Sequence, residues 1–117
     1  MRSMLSDRER NALFDIRGNG LLAQAFVGGL SMDEFKADRR AFYATTRALE
    51  IVSEAARRLP ADLRPGLPWR KIMGVGNVFR HAYESVAEEQ VWLTVRDYLP
   101  ALLDAVALEI DRLDEPG

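Results

Sequence analysis

The chain has 117 residues, 48% of them hydrophobic, and a formal net charge of −2. That is enough for one domain with a core of its own, expected to span residues 1–117, and too little for two. Cysteine is absent and histidine occurs once, which excludes disulfides, thiolate zinc sites, cysteine nucleophiles and histidine-rich metal sites and fits a reducing compartment. Residues 1–10 lack an apolar signal core, and no run of about eighteen apolar residues occurs, so a cytoplasmic protein with no membrane contact is expected.

The first helix is predicted to begin at Ser6, whose side chain can cap it, with Asp7 and Glu9 in the first turn where the helix dipole favours anions. It runs to about Val27. Leu13, Ile16, Gly20, Ala23 and Val27 recur at spacings of three and four and form its core face. Gly18-Asn19-Gly20 interrupts the pattern and leaves three readings open: a break, a kink, or a point where another helix approaches closely. Gly28-Gly29 ends the helix with backbone geometry in which a side chain would clash. Ser31 and Glu34 then have the spacing of a capping box and open a short helical turn around Phe35.

The next helix is predicted over about residues 38–59. Phe42, Thr45, Leu49, Val52, Ala56 and Leu59 form a seam of the kind an antiparallel bundle helix buries. Glu50 and Glu54 are the carboxylates that could hold a hard cation. Arg47 and Arg58 stand at pairing distance from them along the helix, so structural pairing is the favoured reading and no metal site is assigned. Residues 60–67, with Pro65-Gly66, make a turn too short to be a domain linker.

A helix is predicted over residues 68–83, with Pro68 at its first position. Trp69, Ile72, Gly76, Phe79 and Tyr83 make its apolar stripe. His81, the single histidine, falls about 170° from the centre of that stripe, on a polar face with Asn77 and Arg70 and with Arg80 beside it. A lone histidine is often a satisfied structural residue. Here it combines a group that titrates near neutral pH with several donors for an anion, which suits phosphate chemistry. Gly74 and Gly76 each cost this helix about 1 kcal/mol relative to alanine, as expected of a close backbone approach or of a weak helix.

Ser85 and Glu88 repeat the capping-box spacing and open a last helix with Trp92, Val95, Leu99, Leu102, Val106 and Leu113 as its seam. Pro100 is expected to kink it. Residues 114–117 are expected to fray.

Charge is unevenly spread. Residues 39–81 hold nine basic and three acidic groups, a net of +6, whereas residues 82–117 hold two basic and nine acidic, a net of −7. Two readings stay open: an RNA-facing surface around His81, or neighbouring helices whose opposite charges pair. No repeat, phosphate-binding glycine loop or helix-turn-helix signature occurs.

Pro68-Trp69-Arg70, the run Gly76-Asn77-Val78-Phe79-Arg80-His81-Ala82-Tyr83, Val91-Trp92 and Leu99-Pro100-Ala101-Leu102 together resemble the HepT-like branch of the HEPN domains. Phe35 and the run from Arg47 to Pro60 extend the resemblance over most of the chain. It implies a dimeric α-helical bundle that acts as a metal-independent endoribonuclease toxin and is neutralised by a minimal nucleotidyltransferase antitoxin. The family motif is Arg, four residues, His, one residue, Tyr, often with Asn after the Arg. Asn77, His81 and Tyr83 match, and Gly76 occupies the arginine position. In the family the arginine and histidine act on the RNA backbone, and the tyrosine can be adenylylated by the antitoxin.

The expected fold is therefore an all-α, up-and-down antiparallel bundle of four main helices plus a short helical turn. The expected activity is cleavage of RNA without a cofactor or metal. His81 is the catalytic acid or base, Arg80 substitutes for the missing arginine, Asn77, Arg70 and Tyr83 contact RNA or phosphate, and Tyr83 is also the modification site. The alternative is a catalytically degenerate HEPN protein that binds a partner or a nucleotide, the reading favoured by Gly76.

Overall fold

The computed structural model describes residues 5–60, Leu63 and residues 84–113. The predicted helix over residues 68–83 and the predicted frayed tail lie outside the described residues.

Helix α1, Asp7–Val27, starts at a reciprocal capping box. Ser6 Oγ accepts from the Glu9 N–H at 3.1 Å, and the Glu9 carboxylate accepts from the Ser6 N–H at 2.9 Å, so two donors that a helix start leaves over are satisfied together. The helix runs unbroken through Gly18-Asn19-Gly20. Asn19 turns its side-chain amide back onto the Asp15 carbonyl at 3.0 Å. At Gly20 a Cβ would stand 2.6 Å from Leu103 Cδ2, so the close-approach reading of the triplet fits this position. Gly28 ends α1 with φ of 51°, and its N–H bonds the Gln24 carbonyl at 2.8 Å.

Helix α2, Met32–Ala37, carries the predicted Ser31–Glu34 box in full and buries Phe35 completely. Helix α3, Arg39–Arg57, is capped by the Asp38 carboxylate, which accepts from the Ala41 N–H at 3.0 Å. Each residue of its predicted seam, from Phe42 to Leu59, is buried.

The last helical stretch departs from expectation at its start, and at Pro100 it shows how the chain accommodates the ring. Helix α4 already covers Glu84–Leu93, so Ser85 lies within a helix rather than ahead of one. Glu88 is buried and bonds Arg39, because a carboxylate leaving water gains more from a cation than from a backbone donor. Pro100 lies just after a π-helical turn, Thr94–Tyr98, that leads into α5, Leu99–Leu113. Proline has no N–H for the carbonyl one turn back and crowds it. The wider turn gives the ring room, with the Leu99 N–H reaching back to the Thr94 carbonyl and Thr94 Oγ1 donating to the Gln90 carbonyl at 2.6 Å.

Contacts fix the directions of the helices. Helices α1 and α3 pack along each other, Asp15 in α1 meeting Arg58 at the end of α3 at 2.6 Å, and only residues 28–38 join the end of one to the start of the other, so these two run antiparallel. Gly20 faces Leu103, while Val27 and Gly28 share a cleft with Val95 and Pro100, so α1 and α5 are antiparallel too. Leu13, Ile16, Leu49, Val52, Leu99, Leu102 and Val106 fill the space between these helices. The fold is an all-α antiparallel bundle.

Candidate active site

The five residues singled out from sequence, Arg70, Asn77, Arg80, His81 and Tyr83, lie outside the described residues, as does Gly76. Described instead are the elements that flank this segment in the chain. On the upstream side α3 closes with the Arg58 N–H bonding the Ala55 and Ala56 carbonyls. Leu59 and Leu63 are buried, and the Leu63 N–H bonds the Pro60 carbonyl at 3.0 Å. The Arg58 guanidinium is drawn across to Asp15. The expected Glu54–Arg58 pair therefore gives way to an interhelix pair, whereas the expected Arg47–Glu50 pair is present at 3.3 Å.

On the downstream side the chain passes directly from Tyr83 into α4. Ala87 and Val91 bury the inner face of α4. Two ion pairs tie it down: Lys36 Nζ to the Glu89 carboxylate at 2.6 Å and Arg39 Nη1 to the Glu88 carboxylate at 3.0 Å. The Glu89 carboxylate raises the Lys36 ammonium above the ordinary lysine pKa, with nearby Asp33 and Glu88 adding to the effect. The side chain of Glu88 is only 8% exposed, so Arg39 neutralises a charge that would otherwise be stranded in the core. The Trp92 indole N–H donates to the Leu30 carbonyl at 3.0 Å, and the Arg96 guanidinium lies 5.1 Å from the Trp92 ring centroid.

Arg39 is the hub of this end. Besides Glu88 it donates to the Tyr43 hydroxyl at 3.1 Å and lies over the rings of Phe42 and Tyr43 at 5.5 and 5.1 Å. Sequence analysis missed this cluster. Arg39 and Glu88 are 49 residues apart, and the signal available was coarse: a basic middle followed by an acidic end. At this point the opposite charges do pair. No group of three metal-ligating side chains occurs among the described residues, and no helix among them is long and apolar enough to cross a membrane.

Comparison with known proteins assigns the lineage of the chain. A family model described as Ribonuclease HepT-like matches residues 19–108. The chain is 33% identical over 84 residues to the "Probable ribonuclease HepT" of Thermococcus cleftensis, covering 69% of this chain and 76% of that protein. It is 30% identical over 108 residues to the "Putative RNase MJ1380" of Methanocaldococcus jannaschii, covering 89% of this chain and 99% of that one. No solved structure gives a significant match. The family match takes in both the motif segment and the helices that flank it, and the chain belongs to the HepT-like ribonuclease family.

Proposed function

We propose that the chain is a single-domain, cytoplasmic HepT-like toxin that cleaves single-stranded RNA without a metal and is silenced by a minimal nucleotidyltransferase antitoxin. The observation that carries this reading is the family match over residues 19–108, which includes Asn77, His81 and Tyr83 at the family's motif spacing. His81 takes the proton from a ribose 2′-hydroxyl or gives one to the leaving 5′-oxygen, an exchange suited to imidazole near neutral pH. Arg80 and Asn77 steady the charge that builds on the phosphate, with Arg70 farther along the RNA backbone. Tyr83 contacts RNA and is the side chain the antitoxin modifies.

The active species is a homodimer. In support of this, α1 turns Phe14, Leu21, Leu22 and Phe26 outward, all of them substantially exposed, and apolar patches of this kind mark contact surfaces.

A degenerate, partner-binding protein is the second reading, and Gly76 favours it by removing the motif arginine. RNA cleavage in chelator by wild type, His81→Ala and Arg80→Ala, each checked for helicity, separates the two. Loss of cleavage in both variants supports a nuclease in which Arg80 has taken over the arginine's role. Absence of cleavage by wild type on varied RNAs supports the degenerate protein, and cleavage unchanged in His81→Ala removes the proposed site.

A further inference from the structure

We propose that Tyr43, flanked by Arg39 and Arg40 at the start of α3, is a stacking platform for an unpaired base of the RNA. The proposal rests on the ribonuclease reading above. Tyr43 is the most exposed of the large hydrophobic side chains described, at 62%. An exposed tyrosine commonly swings freely, but this one is fixed. It packs edge-to-face with Phe42, ring centroids 5.5 Å apart, the Arg39 guanidinium lies 5.1 Å from its centroid, and its hydroxyl accepts from Arg39 at 3.1 Å. Arg39 is itself anchored by buried Glu88. A ring already held in place gives up little conformational freedom when a base stacks on it.

Charge and position point the same way. Arg40, Tyr43 and Arg47 follow one another at three and four residues, on the face of α3 opposite its buried seam. Among the described residues, the carboxylates of this neighbourhood have partners: Glu88 with Arg39, Glu89 with Lys36, Glu50 with Arg47, and Asp38 with the Ala41 N–H. Arg40 makes no ion pair among the described residues and is left for a phosphate. Glu88, which anchors Arg39, lies one helical turn into α4, and α4 follows Tyr83 directly. A strand crossing Tyr43 is thus close to where the chain leaves the motif segment.

The test is fluorescence anisotropy with a single-stranded 2′-O-methyl oligoribonucleotide, which resists cleavage, and an abasic strand of the same length. Tyr43→Ala is expected to weaken binding of the base-bearing strand roughly tenfold. Tyr43→Phe keeps the ring and should bind within about twofold of wild type, and the loss in Tyr43→Ala should vanish on the abasic strand. Equal binding by wild type and Tyr43→Ala, or a loss of equal size on the abasic strand, overturns the proposal while leaving RNA cleavage by wild type intact. A Tyr43→Ala protein that binds RNA normally but no longer self-associates makes this a protein contact and also overturns it. If wild type neither binds nor cuts RNA, the ribonuclease reading fails and the platform with it.

Discussion

Helices α1 and α3 are close in length, lie antiparallel against each other and bury comparable inner faces, yet their outer faces are opposites. Outside its seam α3 presents Arg39, Arg40, Tyr43, Arg47, Glu54 and Arg57, a face that water solvates well and that an anionic polymer can use. The outer face of α1 is polar at its start, with Asp7, Arg8, Arg10 and Asn11, and turns apolar farther along at Phe14, Gly18, Leu21, Leu22, Ala25 and Phe26, with Arg17 lying over the Phe14 ring at 5.2 Å. The difference matches the proposed dimer, in which α1 completes its packing against a second chain and α3 does not. On α3 the large apolar residues other than Tyr43 mean core. On α1 they mean core on one side and an exposed apolar patch on the other.

The sharpest way to break the symmetry of the inner faces is at the seam they share. Leu49→Ala in α3 removes a fully buried side chain and is expected to cost about 2–5 kcal/mol in chemical denaturation, through lost transfer energy plus the cavity left behind. Next in size is the pair of glycines in α1. Gly20→Val thrusts its side chain into Leu103 and is expected to destabilise by about 1–3 kcal/mol. Gly18→Ala meets nothing within 4 Å and is expected to stabilise by about 0.5–1 kcal/mol through helix propensity. Equal effects at the two glycines would contradict the close approach of α5 to α1.

The outer faces are compared by charge insertion. Leu21→Glu puts a carboxylate into the middle of the apolar α1 face and is expected to shift the protein from dimer to monomer by light scattering, with stability of the monomer changed by no more than about 0.5 kcal/mol. The corresponding change on α3, Arg47→Glu, should leave the dimer unchanged. Dissociation by both variants, or by neither, would remove the functional distinction between the faces.

The smallest expected effect lies in the link between α1 and α3. The Ser31 backbone N–H, followed by the Ser31 hydroxyl, holds the Glu34 carboxyl below its ordinary pKa. A lowered folded-state pKa contributes stability that is present above the unfolded value and is lost as pH falls through the folded one. The melting temperature of Glu34→Gln should therefore fall below that of wild type near neutral pH and converge with it in acid. A gap independent of pH would contradict the capping role.

Those predictions mark what the sequence could and could not reveal. Ser6, Ser31 with Glu34, Gly28 and the α3 seam were legible because caps, turns and helical periodicity act over a few residues. Ser85 and Glu88 have the same spacing, yet the helix had already begun at Glu84, and Glu88 was claimed by an arginine far away in the chain. Arg58 likewise left its helical neighbour for Asp15. At Gly20 the choice among break, kink and close approach needed the position of Leu103, which no local pattern contains. Pro100 announced a disturbance of the helix but not the π turn that accompanies it, because whether a chain widens in this way depends on what packs around it. The candidate site was legible only as chemistry and lineage, a histidine among phosphate-binding side chains in a HepT-like frame, and its residues lie outside those described.

The most direct test of the ribonuclease account is the chemistry of the cut ends. Wild-type protein incubated with single-stranded RNA in excess chelator should yield fragments ending in 2′,3′-cyclic phosphate with 5′-hydroxyl partners, and a strand carrying 2′-deoxyribose throughout should stay whole. Fragments that require a divalent metal, or cleavage of the deoxyribose strand, would contradict the account, because the nucleophile would then not be the ribose 2′-hydroxyl that His81 is proposed to activate.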